Sequence, residues 1–163
     1  MATDYFLKID GIDGESAKKG VEKQIEIESF SWGAAQTGSH GTGTGGGTGK
    51  VDVQDFHFTT KVNKASPKLM IACATGQHLK GKSAVLTARK AGGKQETYLT
   101  YKLSDITISS YQTGGAAGDN TVPTDSFSIA FSKIEVEYKP QKPDGSLDAA
   151  VTAGYDLGAM DKV

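Results

Sequence analysis

The feature that most restricts this chain is a set of short runs in which apolar residues alternate with polar ones and then change phase partway. Tyr5, Leu7 and Ile9 fall on one face of a first strand. Ile25 and Ile27 open a second, where the apolar phase moves to Phe30 and Trp32. Val51 and Val53 give way to Phe56 and Phe58, and Phe127, Ile129 and Phe131 give way to Ile134, Val136 and Tyr138. Two is the side-chain period of a strand, so a shift by one residue turns the apolar set to the other face unless the strand bulges or breaks there. Repeated shifts fit strongly curved strands. The expected fold is therefore mainly β, an antiparallel β-barrel.

The remaining elements complete this outline. Ala84, Leu86 and Ala88 run into the turn Ala91-Gly92-Gly93-Lys94, from which Leu99, Tyr101 and Leu103 return, the pattern of a hairpin. Ile106 and Ile108 carry the next stretch to Tyr111, and Thr113-Gly114-Gly115-Ala116-Ala117-Gly118 is expected as a flexible loop before the last long strand. One flanking α-helix stands out. Ser66 is the expected N-cap, Pro67 the first helical residue, the run from Lys68 to Thr75 the body and Gly76 the C-cap. Leu69 and Cys73, with Met70 as a further candidate, share the face that should pack on the barrel.

Two stretches carry too little apolar area to join that core. Residues 33–50 are nearly all Gly, Thr, Ser and Ala, an extended glycine-rich arm that cannot offset the entropy of its own ordering. Trp32 anchors its start and strand residues resume at Val51, so the arm is expected to order against a neighbouring subunit. The tail 145–163 is also sparse and is assigned no structure. With 163 residues, the chain suits one domain over 1–163.

Composition and motifs exclude more than they assign. At 37% hydrophobic, 23% charged and net −1, the chain reads as globular. Charge is uneven: residues 1–49 sum to −3, 50–94 to +7 and 95–163 to −5, which suits basic and acidic surfaces meeting head to tail. A nucleic-acid patch is the competing reading, but the lysines are spread over several elements without an interleaved aromatic motif. MATDYFLKIDG lacks a signal peptide's basic start and apolar stretch, and no run reaches the roughly 20 apolar residues of a membrane span. GTGTGG at 41–46 matches a dinucleotide pattern only formally, since it leads into a strand rather than a helix. A P-loop fails at Thr44 and Val51. His40, His57 and His78 have no second ligand at metal spacing, and Asp10, Asp13 and Glu15 lack calcium-loop spacing, so no cofactor is expected. Cys73 reads as a small core residue rather than a nucleophile, and no G-x-S-x-G elbow is present. No catalytic site is expected.

In their order and spacing, YFLKIDGIDGES, SFSWG ahead of the arm, GKVDVQDFHFTTKVNKASPKLMIACATGQH and FSIAFSKIEVEYKPQ resemble the haemolysin-coregulated proteins of bacterial type VI secretion systems, over nearly the whole chain. That resemblance implies a tail-tube-like barrel, a non-enzymatic subunit whose homohexameric rings stack into the secreted inner tube and carry or chaperone small effectors. A soluble ring-shaped carrier that forms no tubes is the alternative. It implies contacts with neighbouring subunits or rings through Ser31, Trp32, Gly33, Gly41, Gly43, Gly45, Gly46, Gly47 and Lys50, and a cargo-facing loop at Thr113, Gly114, Gly115 and Ala116. The implied partners are other copies of the chain, sheath, spike and baseplate proteins and effectors, with no nucleic acid and no membrane insertion. The chain would fold in the cytoplasm and leave without a signal peptide.

Overall fold

A computed structural model describes residues 2–37, 50–92, 94–118 and 120–163. In chain order its elements are β1 (Thr3–Ile9), β2 (Ile25–Ile27), β3 (Ser29–Ser31), β4 (Ala34–Thr37), β5 (Lys50–Val53), β6 (Phe56–Lys61), α1 (Ser66–Thr75), β7 (His78–Lys90), β8 (Thr97–Gly114), β9 (Thr124–Ala130), β10 (Lys133–Tyr138), β11 (Val151–Asp156) and β12 (Asp161–Lys162). Hydrogen-bonded neighbours run β12-β11-β10-β8-β7-β1-β2, while β9 pairs both β8 and β6, and β6 pairs β3. Only Glu28 separates β2 from β3, and its N–H donates to the Thr59 carbonyl at 2.8 Å. The path from β1 through β7, β8, β9 and β6 to β3 therefore returns along the chain to β2 and β1. This is the expected antiparallel barrel.

The phase shifts in the sequence are the places where strands change partners. The first falls at Glu28, where pairing passes from β1 to β6. The second falls at Gln54-Asp55, between β5 and β6. The third falls at Phe131-Ser132, where the chain leaves the β9–β6 pairing and β10 comes to lie between β8 and β11. A fourth shift lies inside the β7–β8 hairpin: Leu79 and Ala84 are both buried on β7, as are Leu103 and Ile106 on β8, although each pair has opposite parity. Gly81 (φ 76°) and Asp105 (φ 52°) absorb it, and the Gly81 N–H donates to Asp105 Oδ1 at 2.8 Å. Left-handed backbone costs Gly nothing and Asp little, so the ladder turns a corner there without breaking. The expected hairpin is present, and its register is Ala84↔Leu103, Leu86↔Tyr101 and Ala88↔Leu99.

The core is the inward face of this barrel. Leu7, Ile9, Ile25, Phe56, Phe58, Leu103, Ile106, Ile108, Phe127 and Ile129 are essentially inaccessible. Each such side chain contributes on the order of 1.5–3 kcal/mol, which is why the alternation survives every corner. Phe56 stacks on Phe58 (5.1 Å) and Phe58 on Phe127 (5.2 Å). Phe6 points the other way, off the barrel, and is covered by the cations of Lys18 and Arg89, 5.4 and 5.3 Å from its ring centre. Arg89 is buried and fixes this cover, donating to the Lys19 carbonyl (2.9 Å) and to Gln95 Oε1 (2.8 Å).

α1 lies across β8 and departs from expectation at its start. Ser66 is the first helical residue, not the cap, and Ala65 at the cap position makes no side-chain cap bond. The Ser66 hydroxyl is taken by Asp125 instead, and it accepts the Asn63 N–H at 3.0 Å. Asn63 Oδ1 in turn accepts the Ala65 N–H at 2.8 Å, taking over the local turn. The other end is as expected: Gly76 (φ 61°) gives N–H bonds to Cys73 (3.1 Å) and from Gln77 to Ala72 (3.2 Å), the paired bonds of a Schellman close. Leu69 and Ala72 are buried and Cys73 is half-buried against the core, but Met70 is exposed. The barrel is met by the 66/69/72/73 stripe, which leaves Met70 on the far side.

Two further expectations are corrected. The tail 145–163, given no structure from sequence, supplies β11 and β12, with β11 paired along β10 from Val151↔Tyr138 to Asp156↔Lys133. Thr113 and Gly114 are not loop residues, because they end β8 and pair with Asp125 and Thr124.

Candidate functional site

Trp32 leaves the barrel as a half-buried indole, its ring 6.2 Å from Phe56 in a stacked arrangement and 6.4 Å from Phe131. Phe30, two residues earlier, packs on Tyr5 (5.1 Å) and Phe56 (5.8 Å). The aromatic ladder therefore runs to the rim and holds the point at which the arm begins. The indole N–H is buried with no acceptor among the described residues. Ser31, beside it, is exposed at the end of β3, opposite His57.

Beyond Trp32 the chain forms a ribbon. Among the described residues β4 and β5 pair only with each other, Ala34↔Val53, Ala35↔Asp52, Gln36↔Val51 and Thr37↔Lys50, and the Gln54 N–H donates to the Gly33 carbonyl at 2.9 Å. Antiparallel alternation then turns the main-chain groups of Gly33, Ala35 and Thr37 toward β5, and those of Ala34 and Gln36 to the outer edge of β4. Ala34, Ala35 and Gln36 are exposed. The arm is thus a two-stranded ribbon at its root, fixed to the barrel by Trp32 and by Gly33 lying against the Gln54 side chain. Gly41, Gly43, Gly45, Gly46 and Gly47 lie outside the described residues, as does His40, so only four of that set are placed: Ser31, Trp32 and Gly33 at the ribbon root, and Lys50 opposite Thr37 at the far end of the paired stretch.

At the β8–β9 connection, Gly115 and Ala116 are exposed, and a Cβ on Gly115 would sit 3.1 Å from Pro123 Cγ. The connection is held from below by a polar group that sequence reading missed. Asp125, fully buried, continues the inward phase of Phe127 and Ile129. Its carboxylate accepts the Tyr111 hydroxyl at 2.9 Å and the Ser66 hydroxyl. Burial, and then the bond to Asp125, push the Tyr111 hydroxyl above its ordinary pKa. The legible signal was a carboxylate two residues before Phe127 in the apolar phase. Both of these donors to the carboxylate are hydroxyls, and the trio ties α1 to the barrel rather than presenting a nucleophile.

The residues considered for other chemistry are dispersed. His78 Nδ1 lies 3.2 Å from Thr107 Oγ1, and Asp10 Oδ2 accepts the Ser83 N–H at 3.0 Å. Glu15 Oε1 accepts the Lys64 N–H at 3.1 Å. Among the described residues no cluster of three or more His, Cys, Asp or Glu could hold a metal ion, and no helix is long and apolar enough to cross a membrane. An open cleft of about 490 Å³ is lined by Tyr5, Ile27 and Thr60 together with Lys18, Glu26, Glu28 and Lys61, and its lining holds no nucleophile–base pair.

Comparison with known proteins agrees with this architecture. Residues 6–138 match the family described as type VI secretion system effector, Hcp. The chain is 43% identical over 159 residues to Protein hcp1 of Pseudomonas aeruginosa, covering 96% of each. Among solved structures it matches Hcp1 from Salmonella typhimurium at 32% identity and a TM-score of 0.81, covering 100% of both chains. It matches another, described as a type six secretion system protein, at 30% identity and a TM-score of 0.92, covering 99% of this chain and 100% of that one. Barrel, flanking helix and near end-to-end coverage therefore coincide, and the chain belongs to the Hcp family of type VI secretion proteins.

Proposed function

We propose that the chain over 1–163 is one tube domain, six copies of which form a ring, and that the rings stack into the secreted inner tube of a type VI secretion system. The observation that carries this reading is the ribbon: among the described residues β4 and β5 pair only with each other, apart from the larger sheet, and Ala34 and Gln36 turn their main-chain groups to the outer edge. An edge of that kind associates unless it is covered, and closed ring symmetry is the ordinary way a chain covers its own edges. Ser31, Trp32, Gly33 and Lys50 would then lie where one subunit meets the next, together with the glycines at 41, 43, 45, 46 and 47. Thr113, Gly114, Gly115 and Ala116 would face the cargo.

On this reading the protein works by assembly and carriage, not by catalysis, and its partners are its own copies, effectors, and the sheath, spike and baseplate. It folds in the cytoplasm and leaves with the tube. Native mass against concentration, with electron microscopy of the same samples, tests this. Ring-sized particles that stack as concentration rises are expected. Rings that never stack would favour a soluble carrier, and a chain that stays monomeric when concentrated would refute the proposal.

A further inference from the structure

A second open edge lies at the other end of the long sheet. β11 is covered on its inner side by β10, but on its outer side only by β12. Their pairing is short, Tyr155↔Lys162 and Asp156↔Asp161, extended by the Val163 N–H to the Gly154 carbonyl at 2.9 Å. That bond sets the alternation: Thr152, Gly154 and Asp156 turn their main-chain groups outward, and β12 reaches the last two. Thr152 is left open. Val163 lies directly over Gly154, its Cβ 3.2 Å from where a Cβ on that glycine would be, so β12 fits this edge closely.

The edge is also unusually bare. The three most exposed large apolar side chains among the described residues are Val151 (65%) on β11, Met160 (59%) in the turn before β12 and Val163 (58%) directly after it. Tyr138, opposite Val151 on β10, is 46% exposed. From Val151 to Tyr155 the strand has no charged residue and no proline, the two devices by which edges are ordinarily kept from pairing. Among the described residues another open strand has the same character. β4, Ala34–Thr37, is uncharged and small, whereas its ribbon partner β5 carries Lys50 and Asp52. Its outward groups, Ala34 and Gln36, repeat at the two-residue spacing of Thr152 and Gly154.

We propose that the outer edge of β11 is a self-association surface whose occupant is β4 of a second copy, and that β12 holds this edge closed in the free chain. Pairing at Thr152 needs no rearrangement, and extending it to Gly154 and Asp156 requires β12 to lift away. The contact is heterologous, arm to edge, so each copy keeps one free β4 and one free β11 and the series continues until it closes. The inference rests on the self-assembly proposed above and adds the strands through which the copies meet.

The test uses the full chain with Cys73→Ser, mixing an Ala35→Cys protein with an Ala153→Cys protein and treating the mixture with a short bis-maleimide. A covalent two-chain species is expected in the mixture at concentrations where native mass shows assembly, and several-fold less of it from either protein alone. Adding Asp161→Pro and Val163→Pro, which removes the N–H donors that β12 directs at β11, should raise the yield several-fold at low concentration without moving the thermal midpoint by more than a few degrees. Assembly without cross-linking would overturn this inference while leaving the ring reading intact. An unchanged or reduced yield in the proline variant would overturn the role given to β12, and absence of assembly at any concentration would overturn both readings.

Discussion

Removing the Ser66 hydroxyl should destabilise the barrel by about 2 kcal/mol although the residue opens a surface helix. The hydroxyl donates to Asp125, which is fully buried, and accepts the Asn63 N–H. A hydrogen bond to a charged group contributes roughly 1.5–3 kcal/mol when its loss leaves the charge buried without that donor. The Asn63 N–H lies at a more open position and regains water, so it adds little. For a chain of this length each kcal/mol shifts the midpoint by about 2–4 °C, giving a fall of about 4–8 °C for Ser66→Ala. Urea unfolding followed by circular dichroism, at one protein concentration because self-association would add its own stabilisation, measures the loss. Tyr111→Phe removes the second hydroxyl that donates to this carboxylate, and since both serve one group the double variant should differ from the sum of the singles by at least about 0.5 kcal/mol. A Ser66→Ala loss under about 0.5 kcal/mol, or strict additivity, would refute the view that Asp125 ties helix to barrel.

The same trio gives a pH dependence. Tyr111 holds its proton more tightly folded than unfolded, so this contribution is present below the ordinary tyrosine pKa of about 10 and is lost as pH climbs through the higher folded value; Tyr111→Phe, weaker at neutral pH, should lose less stability than the parent between about pH 9 and 11. At the ribbon, Ala34→Lys with Gln36→Lys puts two charges on an open edge and should weaken assembly at least about tenfold while leaving the midpoint within about 1–2 °C, read by native mass and calorimetry. At the rim, Trp32→Ala forfeits stacking on Phe56 and Phe131, each contact contributing about 0.5–1.5 kcal/mol beyond the area lost, and should cost about 2–3 kcal/mol in urea, whereas Trp32→Phe should cost less than half of that.

The barrel was legible because its code is local and repeated. Leu7, Phe58 and Ile129 each sit in an alternating run, and the phase shifts around Glu28, Gln54 and Ser132 marked the corners. The helix cap misled because Ser66 does in sequence what a capping serine does, while its true acceptor, Asp125, lies 59 residues away. β11 escaped notice because Val151, Thr152 and Ala153 are all exposed and the rest of the strand is only half-buried, so no alternating burial pattern was written into it. The ribbon root was half legible: Trp32 marked where the arm begins, but pairing of Ala34–Thr37 with Lys50–Val53 depends on main-chain bonds that small side chains do not encode. Arg89, buried over Phe6, looked like one more charge in the basic middle of the chain.

The pairing of β1 with β7 joins residues 3–9 to residues 84–90, and this sets the timing of folding. The first strand emerges from synthesis long before its neighbour exists, whereas β7 and β8 can zip up across a short turn as soon as both are made. The β7–β8 hairpin is therefore the natural seed, onto which the N-terminal strand docks late, after closing a loop of more than seventy residues. Until it docks, both flanks of the seed are bare, and a neighbouring nascent chain offers the same strands. Folding and assembly thus draw on one kind of bond, and slow production of the chain should favour soluble product over aggregate.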